Sequence, residues 1–264
     1  MIKLIVSDID GTLVPEGTND VNPEIFPLIR SLRARGVYFA VASGRHKCSI
    51  EKLFAPIRDD IIYITSNGAY TGTYSKTRAE FPLSEDIYTS LFQDFDTAIG
   101  YPYFTETANG AYTSCPDPEF SRLLTEDYGY DIQFRPSLLD LPEKIIKLSL
   151  YHPENAQNID EKWLKKWNKI CRCAVSGTHW IDFMASDVNK GNALFRLQEI
   201  LNVTIQETLA FGDQTNDIEM LKQAYFSFAM GNANCTVKNA ARFTCDSCYN
   251  DGVLKTIRGF FPHD

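Results

Sequence analysis

Two aspartates one residue apart follow a short apolar run near the start of the chain. Asp8 and Asp10 stand after Ile2–Val6, and Gly11 comes next. A spacing of two keeps both carboxylates near one face while a strand continues, and glycine permits a sharp turn. Neighbouring carboxylates repel each other unless they share a proton or a cation. The pair therefore indicates a metal site or a divided acid and base, with an Asp-Gly turn as the alternative.

A hydroxyl, a flexible backbone and a guanidinium follow a second apolar run. Ser43, Gly44 and Arg45 come after Val37–Val41. This combination at a strand end is typical of an anion-binding turn. Ser43 could instead only cap the helix that follows.

A lysine stands at the beginning of a predicted helix. Lys190 lies in Asn189-Lys-Gly-Asn-Ala-Leu194. Cations are unfavourable near a helix N-terminus unless they face an anion, so Lys190 is a candidate ligand-binding residue. The alternative is a solvated surface lysine.

Two acids and an amide follow a third apolar run. Asp213, Asn216 and Asp217 come after Thr208–Phe211. Asp213 is suited to ligate a hard cation, with Asn216 or Asp217 in support. Helix capping by Asn216 or Asp217 is an alternative that is compatible with this role.

The elements that carry these residues form an alternating pattern at both ends of the chain. Ile25, Leu28, Ile29 and Leu32 have the spacing of an amphipathic helix, and a further helix is predicted around 218–222. Strand-like runs occupy 2–6, 37–41, 61–64, 208–211 and 226–229. Near-continuous apolar strands alternating with helices predict a parallel sheet covered on both faces, an α/β fold. Sites in such sheets form beyond the carboxyl ends of the strands.

The middle of the chain has a different pattern. Its predicted strands, 100–104, 144–151 and 180–184, are more mixed in polarity, and a helix carrying Trp163 and Trp167 is predicted to begin near Asn155. These features indicate an α+β layer with an antiparallel sheet. We therefore predict a core domain at 1–82 and 187–264 with an inserted α+β cap domain at 83–186.

Composition excludes several classes of protein. The 264 residues are 44% hydrophobic and 23% charged, which is ordinary for a globular chain and argues against disorder. A net charge of −8 is unlike that of a general nucleic-acid binder, and the sequence has no apolar run long enough to span a membrane. An odd number of cysteines, seven, suggests reduced thiols and a cytoplasmic location.

The cysteine and histidine positions give little support for a transition-metal site. Cys171 and Cys173 fall in the predicted cap, whereas Cys245 and Cys248 fall in the core, and the spacing of the first pair is atypical of zinc sites. Of the histidines, only His46 lies near one of the motifs. It could contact a substrate, but a place on a helix surface is the simpler interpretation.

Taken together, the four motifs resemble those of the haloacid dehalogenase (HAD) superfamily, and more narrowly of the Cof-type phosphatases with a large α+β cap. The motifs are DIDGTL at 8–13, ASGR at 42–45, NKGNAL at 189–194 and GDQTND at 212–217. The resemblance covers the whole chain without a departure at a motif position. It implies a Rossmann-like parallel-sheet core with the cap between the second and third motifs.

The resemblance also implies a reaction. Asp8 would be the nucleophile that forms an aspartyl-phosphate, and Asp10 would be the general acid and then the general base. Mg²⁺ would be bound by Asp8, by the backbone carbonyl of Asp10 and by Asp213.

The remaining motif residues receive binding and supporting roles from the same resemblance. Ser43 and Lys190 would hold the phosphoryl oxygens, and Asn216 would contact phosphate or steady Asp8. Gly44 and Arg45 complete the predicted anion-binding turn. Thr12 and Asp217 would support these groups without touching substrate.

The implied function is a Mg²⁺-dependent phosphomonoesterase for small phosphate esters, with sugar phosphates first and pyridoxal phosphate or a nucleotide as rivals. A phosphotransferase or phosphomutase of the same superfamily is the alternative, and a non-catalytic scaffold is disfavoured because Asp8, Asp10 and Lys190 are all present. The expected partner is a small-molecule ester, with no nucleic acid, membrane or obligate protein partner. Selectivity among esters is expected to come from 83–186.

Overall fold

A computed structural model describes residues 1–176 and 178–262. The chain forms two compact units. The first comprises Met1–Arg45, Ile50–Ala79 and the residues from Asn189 onward; the second comprises His46–Ser49 and Glu80–Val188. Residues 177, 263 and 264, the last two in the predicted core, lie outside the described residues.

The strands and helices of the described residues alternate along most of the chain. The strands are β1 (Leu4–Ser7), β2 (Tyr38–Ala42), β3 (Ile62–Thr65), β4 (Tyr70–Gly72), β5 (Thr77–Glu80), β6 (Tyr103–Glu106), β7 (Ala111–Thr113), β8 (Ile132–Phe134), β9 (Lys147–Tyr151), β10 (Arg172–Ser176), β11 (Trp180–Met184), β12 (Thr208–Gly212), β13 (Phe226–Ala229) and β14 (Phe243–Thr244). The helices are α1 (Ile25–Ala34), α2 (Lys47–Leu53), α3 (Glu85–Asp94), α4 (Pro118–Arg122), α5 (Glu161–Trp167), α6 (Lys190–Leu201), α7 (Ile218–Lys222), α8 (Cys235–Ala240) and α9 (Gly252–Phe260).

The first unit is built on a sheet whose order is β14-β13-β12-β1-β2-β3-β4-β5. The strands from β14 to β3 are parallel, and β4 runs antiparallel to β3. Ser7, the last residue of β1, pairs with Val41 on one side and Phe211 on the other. The carboxyl ends of β1, β2 and β12 therefore meet at one edge, where the strand order reverses and where such sheets bind ligands. The predicted α/β fold with a parallel-sheet core is confirmed.

Helices cover the core of this unit as the apolar spacing predicts. In α1 the predicted residues Ile25, Leu28, Ile29 and Leu32 are buried, and the helix contacts β2. Buried residues of α6, α7 and α8 pack in one cluster with residues of β1, β2, β3 and β12. This packing fixes the start of α6, and hence the backbone of Lys190, relative to the ends of the central strands.

The second unit contains a six-stranded sheet of order β10-β11-β9-β6-β7-β8. Its pairs are antiparallel except β7–β8, whose parallel pairing the sequence pattern did not predict. The first predicted strand, 100–104, begins only at Tyr103, because Gly100 is left-handed with φ 70° and Pro102 lacks an N–H. The helix predicted from Asn155 begins at Glu161, since the Asp160 side chain accepts a hydrogen bond from the Trp163 N–H.

The helices of the described residues lack the combination of length and apolar character that a membrane crossing requires.

Two neighbouring residues of α6 allow a matched test of the core packing. Leu194 is fully buried, whereas Phe195 is 48% exposed. We expect Leu194→Ala to lower the free energy of unfolding by about 2–5 kcal/mol, because it leaves a cavity. Phe195→Ala is the control and should change it by less than about 1 kcal/mol. Urea unfolding of both variants measures the difference, and equal losses would contradict this packing.

Candidate active site

Three acidic side chains from two chain segments surround one buried lysine at the carboxyl edge of the first unit's sheet. Asp8 follows β1, while Asp213 and Asp217 follow β12. The Lys190 ammonium lies 2.7 Å from Asp8 Oδ1 and 2.6 Å from Asp217 Oδ1. Lys190 is therefore not a solvated surface residue. A cation at a helix N-terminus is expected to face anions, and these anions include two carboxylates of the same chain.

Charge keeps this lysine protonated in spite of its burial. Burial lowers the pKa of Lys190, but the carboxylates of Asp217 and Asp8 outweigh it and raise that pKa above its ordinary value. Asp217 is itself fixed by the backbone, since its Oδ2 accepts hydrogen bonds from the N–H groups of Asp213 and Gln214, each at 3.0 Å. Asp217 thus shapes the turn after β12 and holds Lys190 at the same time.

The acids at this edge carry more negative charge than one lysine neutralises. Burial and the charge of Asp217 raise the pKa of Asp8 well above its ordinary value, against the lowering effect of Lys190. Burial also raises the pKa of Asp213 to about 6. A cation between these carboxylates would stabilise their charged forms.

The arrangement of the carboxylates fits a hard divalent metal ion. Among the described residues, one group of three His, Cys, Asp or Glu side chains has ligand atoms within 4.8 Å of one another: Asp8, Asp213 and Asp217. The donors are all oxygen atoms, which suits Mg²⁺. Both carboxylate oxygens of Asp217 accept hydrogen bonds, from Lys190 and from backbone N–H groups. Asp8 and Asp213 are therefore the better candidate metal ligands.

The turn after β1 is built around Asp213. Thr12 Oγ1 donates a hydrogen bond to Asp213 Oδ1 at 2.8 Å. Gly11 has φ 74°, and a Cβ at this position would overlap the Asp213 carboxylate. Asn232 braces the same turn, because its Nδ2 donates to the Gly11 carbonyl at 2.8 Å. Thr12 thus positions Asp213, as a supporting residue would.

Arg45 is paired with Asp10. Its Nε lies 2.9 Å from Asp10 Oδ2 and its Nη2 lies 2.6 Å from Oδ1, a bidentate arrangement. Nη2 and Nη1 also donate to the Thr18 carbonyl and to Asn19 Oδ1. The predicted phosphate-binding guanidinium is therefore engaged by an acid, and Asp10 can protonate a substrate only by giving up one of these bonds.

The turn after β2 contacts Asn67, a residue for which the sequence predicts no role. Ser43 is buried, its Oγ accepts from the Arg45 N–H at 3.1 Å, and its carbonyl accepts from the Asn67 N–H at 3.0 Å. Gly44 lies against the Asn67 side chain. Asn67 Oδ1 in turn accepts from Asn216 Nδ2 at 3.1 Å.

Asn216 pairs with Asn67 through its Nδ2, while its buried Oδ1 has no partner in the described residues. The expectation that Asn216 contacts phosphate or steadies Asp8 stays a prediction. Asn67 and Ser66 both have left-handed backbone angles, φ 57° and 50°. The sequence contains a pattern that could have identified Asn67 as a site residue. Polar residues follow the apolar strand β3, just as they follow β1, β2 and β12.

The family of the chain is shown by a comparison with known proteins. The model of the haloacid dehalogenase-like hydrolase family matches residues 5–257, and the chain belongs to that family. The prediction that it is a hydrolytic enzyme is confirmed.

Individual relatives agree with this assignment over nearly their whole length. The chain is 27% identical to the 5-amino-6-(5-phospho-D-ribitylamino)uracil phosphatase YbjI of Escherichia coli (100% of this chain, 97% of the relative). It is 28% identical to the phosphatase YcsE of Bacillus subtilis, which has the same descriptive name (97% of this chain, 95% of the relative). A crystal structure from Eubacterium rectale is 34% identical and superposes with a TM-score of 0.90, covering 98% of this chain and 99% of that one.

The carboxylate cluster yields a test of metal binding that does not depend on activity. Because the pKa of Asp213 is raised in the folded state, its contribution to stability is present below about pH 4 and is lost as the pH rises through about 6. With chelator at pH 7.5, we expect Asp213→Asn to raise the free energy of unfolding by about 1–2 kcal/mol. Excess Mg²⁺ should raise the melting temperature of the wild type but not of the variant.

The control for this test is Asp246→Asn, which removes an acid whose side chain is 60% exposed in the same unit. It should leave both the unfolding free energy and the response to Mg²⁺ unchanged. A Mg²⁺ response of the same size in Asp213→Asn and wild type would contradict the metal site.

Proposed function

We propose that this chain is a Mg²⁺-dependent phosphomonoesterase that hydrolyses small phosphate esters through an aspartyl-phosphate on Asp8. The observation that carries the proposal is the arrangement of Asp8 against Lys190 beside Asp213 at the carboxyl edge of the parallel sheet. The names of the curated relatives, which are phosphatases, support the reaction class.

The nucleophile is the carboxylate of Asp8. Lys190 holds one of its oxygens at 2.7 Å, so the other oxygen attacks phosphorus. A bond forms between this oxygen and phosphorus while the bond from phosphorus to the leaving oxygen breaks. The ammonium of Lys190, already fixed by Asp217, opposes the negative charge that the phosphoryl group brings.

Asp10 moves the proton in both halves of the reaction. It first gives a proton to the leaving oxygen, after one of its bonds to Arg45 opens, and the alcohol departs. It then takes a proton from the water that attacks phosphorus, which releases inorganic phosphate and restores the Asp8 carboxylate. Arg45 orients Asp10 between these steps.

The metal ion would be held by Asp8, Asp213 and the backbone carbonyl of Asp10. When bound, Mg²⁺ supplies positive charge that reduces the repulsion between the phosphoryl oxygens and the carboxylates. Ser43 would donate a hydrogen bond from its hydroxyl to phosphate, and its backbone carbonyl is held by the Asn67 N–H.

The proposed substrate class is a phosphate monoester of a sugar or sugar alcohol. The two relatives described above are named for a substrate whose phosphate sits on a ribityl chain. The expectation that 83–186 selects among such esters stays a prediction, as do its assignment as a cap domain and the cytoplasmic location.

Substitution of the two aspartates separates their roles. We expect Asp8→Asn to abolish turnover on every ester, because an amide cannot form the acyl-phosphate. Asp10→Asn should cost about 10²–10⁴ in kcat on a sugar phosphate, whose leaving oxygen needs a proton, and much less on an aryl phosphate. Asp246→Asn serves as the control with unchanged kcat. Turnover by Asp8→Asn within tenfold of wild type would refute the nucleophile.

A substrate panel tests the reaction class and its metal requirement together. We expect phosphate release from hexose, pentose and ribityl phosphates in Mg²⁺, its loss in excess chelator and its recovery when Mg²⁺ is restored. Release without a bisphosphate activator distinguishes hydrolysis from a mutase reaction. Undiminished activity in chelator would refute the metal site, and transfer of the phosphoryl group to a second sugar without release would favour the phosphotransferase alternative.

A further inference from the structure

A cysteine and a histidine outside the proposed catalytic machinery lie in direct contact. Cys48 is the second residue of α2, and its Sγ lies 3.0 Å from Nδ1 of His46. Cys48 is partly exposed, whereas His46 precedes α2 and is buried, so its predicted place on a helix surface is wrong. Both residues belong to the compact unit that contains 46–49 and 80–188. Cys48 is therefore only partly shielded from solvent, while its histidine partner is enclosed by the protein.

The hydrogen bonds of the ring assign the proton. His46 Nε2 lies 3.0 Å from the carbonyl oxygen of Thr107. A carbonyl only accepts hydrogen bonds, so Nε2 carries a proton and donates it. In the neutral ring Nδ1 is then an acceptor, and it faces the Cys48 thiol. This is the tautomer in which the imidazole can take the thiol proton.

Charged groups of the same unit favour the ion pair that results. The Glu106 carboxylate acts on the His46 ring and is itself held by the Tyr130 hydroxyl at 2.8 Å and the Lys147 ammonium at 2.7 Å. The Tyr130 ring also lies against the imidazole, with centroids 6.3 Å apart. Burial lowers the pKa of His46, but its hydrogen bond to Cys48 and the charge of Glu106 outweigh this and raise it.

The pKa of the Cys48 thiol is shifted in the opposite direction to that of His46. Burial raises the pKa of Cys48, and the charge of Glu106 adds to that rise. The hydrogen bond and positive charge of His46, together with a hydrogen bond from the Asp131 backbone N–H, more than offset it and lower that pKa below its ordinary value. A Cys48 thiolate would therefore accept hydrogen bonds from two donors, the His46 ring and the Asp131 backbone N–H.

We propose that Cys48 is an activated thiol that His46 deprotonates, and that it is a site of oxidative modification by peroxides. The sulfur attacks one peroxide oxygen, so an S–O bond forms and the O–O bond breaks. The departing oxygen takes the proton from His46 Nδ1, and with hydrogen peroxide it leaves as water. Sulfur is oxidised to a sulfenic acid and the peroxide is reduced.

The test compares two thiols of the same native protein. Cys235 is exposed and provides a reference. At pH 7 we expect limiting iodoacetamide to alkylate Cys48 at least about fivefold faster than Cys235, measured by mass-spectrometric peptide mapping, although Cys48 is the less exposed of the two. With hydrogen peroxide, a sulfenic-acid-specific probe should label Cys48 ahead of Cys235. Faster reaction of Cys235 with either reagent would overturn the proposal.

Replacement of the histidine tests its role. His46→Gln should slow alkylation of Cys48 by about tenfold at pH 7 and leave Cys235 unchanged. An unchanged rate at Cys48 in a folded variant would overturn the assignment.

A measurement on the wild type covers the case in which His46→Gln does not fold. The alkylation rate of Cys48 should reach half its maximum at a lower pH than that of Cys235, and the difference should disappear in urea. A half-maximum at the same or a higher pH would overturn the proposal.

Discussion

Lys190 places a buried ammonium between a carboxylate oxygen of Asp8 and one of Asp217. A buried ammonium without partners would cost several kcal/mol, and so would either carboxylate without the lysine. The three groups are therefore tolerable only together. Asp213 lies next to them, and burial, together with the charge of Asp217, raises its pKa. The three carboxylates face one ammonium, which suits the site to a divalent cation.

The sheet brings these distant residues together. Parallel pairing of β1 with β12 places residue 8 beside the turn at 213–217, and packing of α6 and α7 on the same core positions Lys190. The approach of the two helices requires a residue without a side chain, because a Cβ on Gly191 would meet the backbone of Glu219. The reactivity we propose for Asp8 thus depends on backbone packing as much as on the charges.

The sequence predicted what depends on local patterns. Apolar periodicity was enough for α1, and acids at strand ends were enough to select Asp8 and Asp213, because strand direction alone fixes the edge at which they lie. The pairing of Arg45 with Asp10 and of Asn216 with Asn67 could not be predicted this way. Which partner a side chain binds depends on how closely distant chain segments approach in the folded protein. Neither the periodicity nor the spacing of residues in the sequence contains this information. The parallel β7–β8 pair escaped prediction for the same reason.

The central claim is that phosphate passes through a covalent bond to Asp8. Acid quenching of the enzyme during turnover with substrate and Mg²⁺, followed by borohydride reduction, converts an acyl-phosphate into homoserine, which peptide sequencing by mass spectrometry locates. Our account predicts homoserine at position 8, dependent on substrate and absent in Asp8→Asn. Homoserine at another aspartate, or none at position 8 in samples that are releasing phosphate, would contradict it.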